Sequence, residues 1–315
     1  MLDTATSDLL QPVVLGGLTL KNRIVMSPMT REYSPAGVPG PDVAAYYTRR
    51  AAGGTGLIVT EGVAIDHPTA VDSTAVPRLH GDAALAGWRR VVDDVHAAGG
   101  RIVPQLWHVG PLWGAMARVD PAVRPMRPSG LWGTPGKTVY PQSYIDASAA
   151  PTSSMTQADI DDVIAAYVRS ARNAVDVGFD GIAIHAGHGY LLDAFLWADT
   201  NRRDDEWGGD LERRTRFPVA VVRAIRAEIG DDLPIWDEDT APYDVLHPDA
   251  FLTLLDDSAP ELIRAATLSM NQYWFSKTGS ANLPARLKKA GCPEFAERVR
   301  RHTQGQEHAL LKTTD

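Results

Sequence analysis

The sequence is poor in cysteine, in positive charge and in long apolar runs. Cys292 is the only cysteine, so an intramolecular disulfide and a cysteine-rich metal site are both excluded. Lys and Arg number 31 against 39 Asp and Glu, a net charge of −8. Such a chain lacks the basic face that neutralises a phosphate backbone, which argues against a nucleic-acid partner. With no run of about 20 apolar residues, no membrane-spanning helix is expected. The first residues, 1–14, hold Asp3 and Asp8 but neither Lys nor Arg, unlike a secretory leader, and a cytoplasmic location is expected.

What the chain does have is a large apolar fraction, 44% of 315 residues, arranged in a repeating alternation. That length suits one α/β barrel of about 250 residues with loops. Short apolar runs alternate with helical patterns, the signature of a parallel sheet with crossover helices. Residues 13–20 read as a hairpin around Gly16-Gly17. Strands are expected at 23–27 (a first buried strand), 56–61, 101–106, 181–185 and 234–237, with a sixth at 262–269. Helices are expected at 43–52, 82–97, 213–229 and 248–257. Another opens at a capping box formed by Thr156 and Asp159 and runs to Asp176. The Pro/Gly/Trp-rich stretch 110–151 reads as a long loop, and long loops in compact domains usually carry function. Neither a repeat nor a linker interrupts the pattern, so residues 1–315 are read as a single domain.

In a parallel barrel the residues past the strand C-termini form the active face. Just past the strand at 181–185 stand His185, His188 and Tyr190. Two imidazoles three residues apart can converge on one small acceptor, and a phenol nearby can donate a proton. The same residues could instead be two structural histidines in a turn. Zinc fits poorly, because neither a nearby Glu nor a third His completes a ligand set, and no metal is expected. The charged run 201–209 reads as a solvated, salt-bridged loop.

Four segments, NRIVMSPMTR (22–31), YYTRRAAGGTGLIVTEG (46–62), GGRIVPQLWHVG (99–110) and the HAGHGY…NRRDDEWGG run (185–209), resemble the Old Yellow Enzyme family in order and spacing. The resemblance extends over residues 9–230 and thins out by Lys289. It implies a TIM (β/α)₈ barrel carrying FMN, with NAD(P)H as electron donor and an activated alkene as the small-molecule substrate. It also implies roles. Pro28, Met29 and Thr30 would lie against the flavin ring, Gly62 would approach its edge, and Gln105 would pair with its pyrimidine edge. Trp107 would wall the substrate pocket. His185 and His188 would hold the substrate oxygen over the flavin, His185 thus touching both cofactor and substrate. Tyr190 would deliver the proton after hydride transfer.

The last quarter, residues 238–315, departs from the family. Where the family carries an Arg facing the flavin on strand five, this chain has Asp237 and Glu238. Gly279, Gly291 and Gly305 are the only glycines after Asp237, and none lies in a phosphate-binding loop. Arg298, Arg300 and Arg301 fall on a helical pattern. Neither a seventh nor an eighth strand is recognisable, so the barrel is expected to be incomplete there. Its first strand would then present a sticky edge, covered by the helix at 293–302 or, as we expect, by another subunit in a homo-oligomer. A second functional reading stays open: a flavin-free barrel doing acid–base chemistry on a carbonyl compound, as an isomerase or cyclase, or an inactive family member.

Overall fold

A computed structural model describes residues 10–237 apart from 16, 116–122, 134–142, 144–145, 148–149 and 232, with the backbone alone at Leu15, Trp236 and Asp237. These residues belong to one compact unit ending at Asp239. The expected elements at 248–257, 262–269 and 293–302, and the single-domain expectation for 238–315, lie outside the described residues.

The chain enters through an antiparallel hairpin, β1 (Val13–Leu15) and β2 (Leu18–Leu20). Gly17 has φ +83°, the positive value that two-residue hairpin turns demand. Five parallel strands follow: β3 (Val25–Met26), β4 (Leu57–Ala64), β5 (Arg101–Trp107), β6 (Ile182–Ile184) and β7 (Ile235–Asp237). Each pairs with the next in chain order. A doubly wound sheet must reverse that order part-way, whereas a (β/α)₈ barrel keeps it. The described sheet is therefore of the barrel type.

Helices fill the crossovers. They are α1 (Pro41–Ala52), α2 (Asp82–Ala97), α3 (Gln157–Val177), α4 (Leu191–Leu196) and α5 (Leu211–Ile229). Each start has a local cause. Pro41 opens α1 at a position where a missing N–H costs nothing. Thr156 and Asp159 form the expected capping box of α3, and Asp210 caps α5 by accepting from the Arg213 N–H at 2.9 Å. Gly178, with φ +102°, ends α3 in the left-handed conformation. Strands β4 and β5 are buried along almost their whole length, as strands covered on both faces must be. Ile58, Val63, Ile102 and Leu106 pack there against Val43 and Tyr47 of α1 and Trp88 and Val91 of α2.

The first barrel strand departs from expectation. Its ladder covers only Val25 and Met26, not 23–27, and it is not buried: Ile24 is 41% and Val25 40% exposed. The reason is topological. Among the described residues β3 pairs only with β4, so one of its edges has no neighbouring strand. A further element, α4, was hidden in the sequence because its six residues sit inside a motif that reads as chemistry. Leu191, Leu192 and Phe195 are buried, and Phe195 stacks on Phe217 at 4.1 Å. Among the described residues no helix is long and apolar enough to cross a membrane.

Candidate active site

The site begins with a fault in the sheet. β4 pairs with β5 regularly up to Val59↔Val103 and resumes at Gly62↔Gln105, so β4 carries one extra residue. This bulge lies opposite Pro104, which has no N–H to give to a ladder. Side chains satisfy the groups it leaves. The Gln105 N–H donates to Thr60 Oγ1 at 3.1 Å, and the Glu61 N–H donates to the Tyr47 hydroxyl oxygen at 2.9 Å. Burial, with Glu61 beside it, pushes the Tyr47 phenol far above its ordinary range, so it stays protonated.

The bulge turns the Glu61 carboxylate, fully buried, toward the loop after β3. It accepts from the Arg31 N–H at 3.0 Å and the Glu32 N–H at 3.3 Å, and it pairs with the Arg31 guanidinium at 3.3 Å. That guanidinium lies over the Tyr46 ring at 3.6 Å. Glu32 takes φ +58° to make this fit. The clamp fixes the segment bearing Pro28, Met29 and Thr30, of which Met29 is 60% exposed. Sequence reasoning missed Glu61 and Arg31. The missing signal was Pro104 inside an otherwise regular strand.

At the next strand ends four rings meet. Trp107 closes β5 and His185 follows β6; their rings stack at 5.8 Å with 22° between planes. Tyr190 stands edge-on to both, 4.7 Å from His185 and 5.0 Å from Trp107. His188 stands edge-on to His185 at 5.4 Å and reaches toward solvent. The expected catalytic and substrate-facing residues therefore converge. Gln105 and Gly62 sit side by side in the β4–β5 ladder, behind Trp107. A Cβ on Gly62 would come within 2.5 Å of the Trp107 ring. In this structure the glycine makes room for the indole, a neighbour not foreseen from the sequence. Pro28, Met29 and Thr30 stand apart on their clamped loop.

Backbone contacts weld two of these parts together. The Leu191 N–H donates to the His108 carbonyl at 3.2 Å. Gly110, at φ +56°, lies so close to Leu191 that a Cβ there would fall 2.6 Å from its Cα. The long loop is tied at its foot. Buried Arg127 donates to the carbonyls of Pro111 (3.0 and 3.2 Å) and Ala150 (2.7 Å). Burial lowers its guanidinium to about 10, which leaves it charged at neutral pH. The 201–209 run is more than a solvated loop. Arg203 donates to the carbonyls of Pro128 and Met155 (2.7 and 2.6 Å), and buried Asn201 to those of Phe195 and Trp207 (2.7 and 2.8 Å). These bonds tie the run to α4, to the long loop and to the segment that leads into α3.

A second histidine pair lies beneath. His67 and His108 are buried, with His67 Nδ1 3.2 Å from His108 Nε2. Gly110 donates its N–H to His108 Nδ1 at 3.0 Å, so His108 carries its proton on Nε2 and donates it to His67. His67 Nε2 then faces Asp162 at 3.4 Å. Burial lowers both pKa values, that of His108 well below the ordinary histidine range. Among the described residues no group of three His, Cys, Asp or Glu is placed to hold a metal.

The profile of the NADH:flavin oxidoreductase / NADH oxidase family matches residues 8–253. The chain belongs to this family. It is 37% identical over 228 residues to 12-oxophytodienoate reductase 1 of Oryza sativa subsp. japonica, covering 72% of this chain and 57% of the relative. It is 39% identical over 227 residues to chanoclavine-I aldehyde reductase of Penicillium roqueforti, covering 71% and 58%. Among solved structures it resembles morphinone reductase in complex with tetrahydroNAD, with TM-score 0.64, 35% identity and 73% and 63% of the two chains covered. It also resembles the old yellow enzyme homologue from Zymomonas mobilis, with TM-score 0.65, 30% identity and 78% and 71% covered. The chain spans little more than half the length of these curated relatives. The α/β barrel class read from the sheet order is that of these structures.

Proposed function

We propose that the chain is an FMN-dependent oxidoreductase of the ene-reductase type, passing hydride from NAD(P)H by way of the flavin to an activated alkene. The observation that carries this reading is the convergence of His185, His188, Tyr190 and Trp107 at the ends of β5 and β6. One feature of that cluster suits a bound ligand. The Trp107 indole N–H is buried without a hydrogen-bond partner among the described residues, a donor that a ligand acceptor would satisfy. Gln105 would offer an amide able to donate and accept at the pyrimidine edge of the flavin, with Thr30, Met29 and Pro28 against the ring and Gly62 and His185 beside it. The flavin supplies the hydride when bound.

The chain's own residues would do the rest. His185 and His188 donate hydrogen bonds to the oxygen conjugated with the alkene and stabilise the negative charge that grows on it. The Tyr190 hydroxyl gives its proton to the α-carbon. Trp107 excludes water from one side. NAD(P)H would use the same pocket in alternation with the alkene. A cytoplasmic location and a homo-oligomer complete the proposal, the latter supported by exposed Ile24 and Val25 where β3 begins; light scattering on an eluting peak checks it.

The test is purification with excess FMN, then assay with NADPH and cyclohexenone. A yellow protein that reduces the enone is the expected result. A folded, colourless chain without that activity rejects the proposal and favours the flavin-free acid–base reading, which the Asp237 and Glu238 substitution motivates.

A further inference from the structure

The turn that presents His188 and Tyr190 is strained. His188 has φ +61° and Gly189 φ +75°, and the Tyr190 N–H closes the turn on the Gly187 carbonyl at 3.2 Å. Glycine adopts such angles freely, but a residue with a Cβ does so only when its surroundings enforce it. One enforcing contact is Asp193, in the first turn of α4, whose carboxylate accepts the Gly189 N–H at 2.7 Å. Tyr190 occupies the cap position of α4 and makes no side-chain cap of its own. Asp193, at the third position of α4, makes a capping-box type back-bond that lands on Gly189, one residue before the cap, and in doing so fixes the peptide between His188 and Tyr190.

We infer that Asp193 is a positioning residue for the proton-delivery step: it holds the 187–190 turn in its strained form, so that Tyr190 and His188 face the same substrate. Its part is to act through the turn rather than to carry the proton. The inference rests on the reading of Tyr190 as proton donor. A displacement on the order of 1 Å at a reacting group costs on the order of 10²-fold in rate, so losing this tie shows in the alkene step. Asn in place of Asp193 keeps an acceptor oxygen at the same reach, whereas Ala removes it.

The experiment uses the FMN-loaded protein, reduced with dithionite under anaerobic conditions and reoxidised by cyclohexenone, with FMN content and melting temperature recorded for each variant. Asp193→Ala is expected to slow reoxidation at least ~10-fold, Asp193→Asn to recover most of that loss, and Asp193→Ala to cost far less when Tyr190 is already Phe. A merely structural role predicts equal losses in both backgrounds. Amide exchange across residues 186–192 should quicken in Asp193→Ala and return in Asp193→Asn. Reoxidation at the wild-type rate in Asp193→Ala, in a series where Tyr190→Phe is slow, overturns the inference and leaves the proposed function standing. If Tyr190→Phe is as fast as wild type, the proton-donor reading falls instead. Exchange then decides Asp193's hold on the turn, and unchanged protection in Asp193→Ala overturns it.

Discussion

Two pairs of histidines stand within the same part of this barrel, and they have opposite characters. His67 and His108 bond to each other, to a backbone N–H and toward Asp162, and both are buried and held neutral. His185 and His188 meet edge to face beside Tyr190, one buried beside the Trp107 ring and one exposed. Both pairs follow strand ends, and His108 directly follows Trp107 just as His185 directly follows Ile184. Position on the active face therefore does not separate them. What separates them is their surroundings: the first pair is buried and bonded within the protein, while the second lies among the rings of Trp107 and Tyr190, with His188 exposed.

That contrast can be broken by substitution. The largest expected effect is that of Tyr190→Phe. Loss of a general acid slows alkene reduction by about 10² to 10⁴-fold, while reduction of the flavin by NADPH changes little; single-turnover kinetics of the two half-reactions separates them, and equal damage to both rejects the role. Next is His108→Ala. It leaves a cavity and strips partners from the Gly110 N–H and His67 Nδ1, at a cost of about 2–5 kcal/mol in stability. A melt should show it as a fall of several degrees, with whatever activity remains per folded molecule close to normal. Replacing both His185 and His188 by Leu should do the reverse. The melt moves less than in His108→Ala, but affinity for the enone falls ~10-fold or more because both donors to its oxygen are lost. Should the inner pair prove to govern catalysis and the outer pair stability, the assignment is inverted.

The smallest effect is on pH dependence. A histidine whose pKa is lowered by folding contributes stability that is complete above its unfolded value, near ~6.5, and is lost as pH falls toward the folded value. Each such proton tilts stability by at most about 1.4 kcal/mol per pH unit. Asp162, Asp159 and Asp66 face His67 and oppose its shift, while Arg169 reinforces it. Melting temperature should therefore drop between pH 7 and 5 in the wild type and drop less in His67→Gln. An unchanged slope would show that the inner pair is not neutral in the fold.

Much of this was legible in the sequence because local chemistry decides it. The α3 capping box, the glycine ends of helices and the apolar strands at 101–107 and 182–184 each follow from residues within a few positions of one another. So did the grouping of His185, His188 and Tyr190, which share one strand end. The parts that stayed hidden depend on partners far apart in the chain. Glu61 reads as a polar residue ending a strand until Arg31 and Tyr47 come to it. Arg203 reads as surface charge until Pro128 and Met155 offer carbonyls. The strand at 23–27 looked buried because Ile24 and Val25 are apolar, yet burial depends on a neighbouring strand and not on side-chain type. The segment beyond Asp237 lies outside the described residues, so the missing phosphate loop and the substituted arginine stand as sequence observations.

The backbone seam between Gly110 and Leu191 bears on how this pocket could diversify. Trp107 contributes only a side chain to the pocket, whereas Tyr190 is carried by a peptide joined through the His108 carbonyl to the strand that bears Trp107. Residue 107 can therefore be exchanged for smaller side chains while the backbone that carries Tyr190, the proposed proton donor, stays tied in place, the cost being the indole face against which Tyr190 packs. Residue 110 has no such freedom, since its conformation and its clearance both require glycine. Lineages of this barrel, natural or selected in the laboratory, should accumulate variety at 107 while 110 stays fixed.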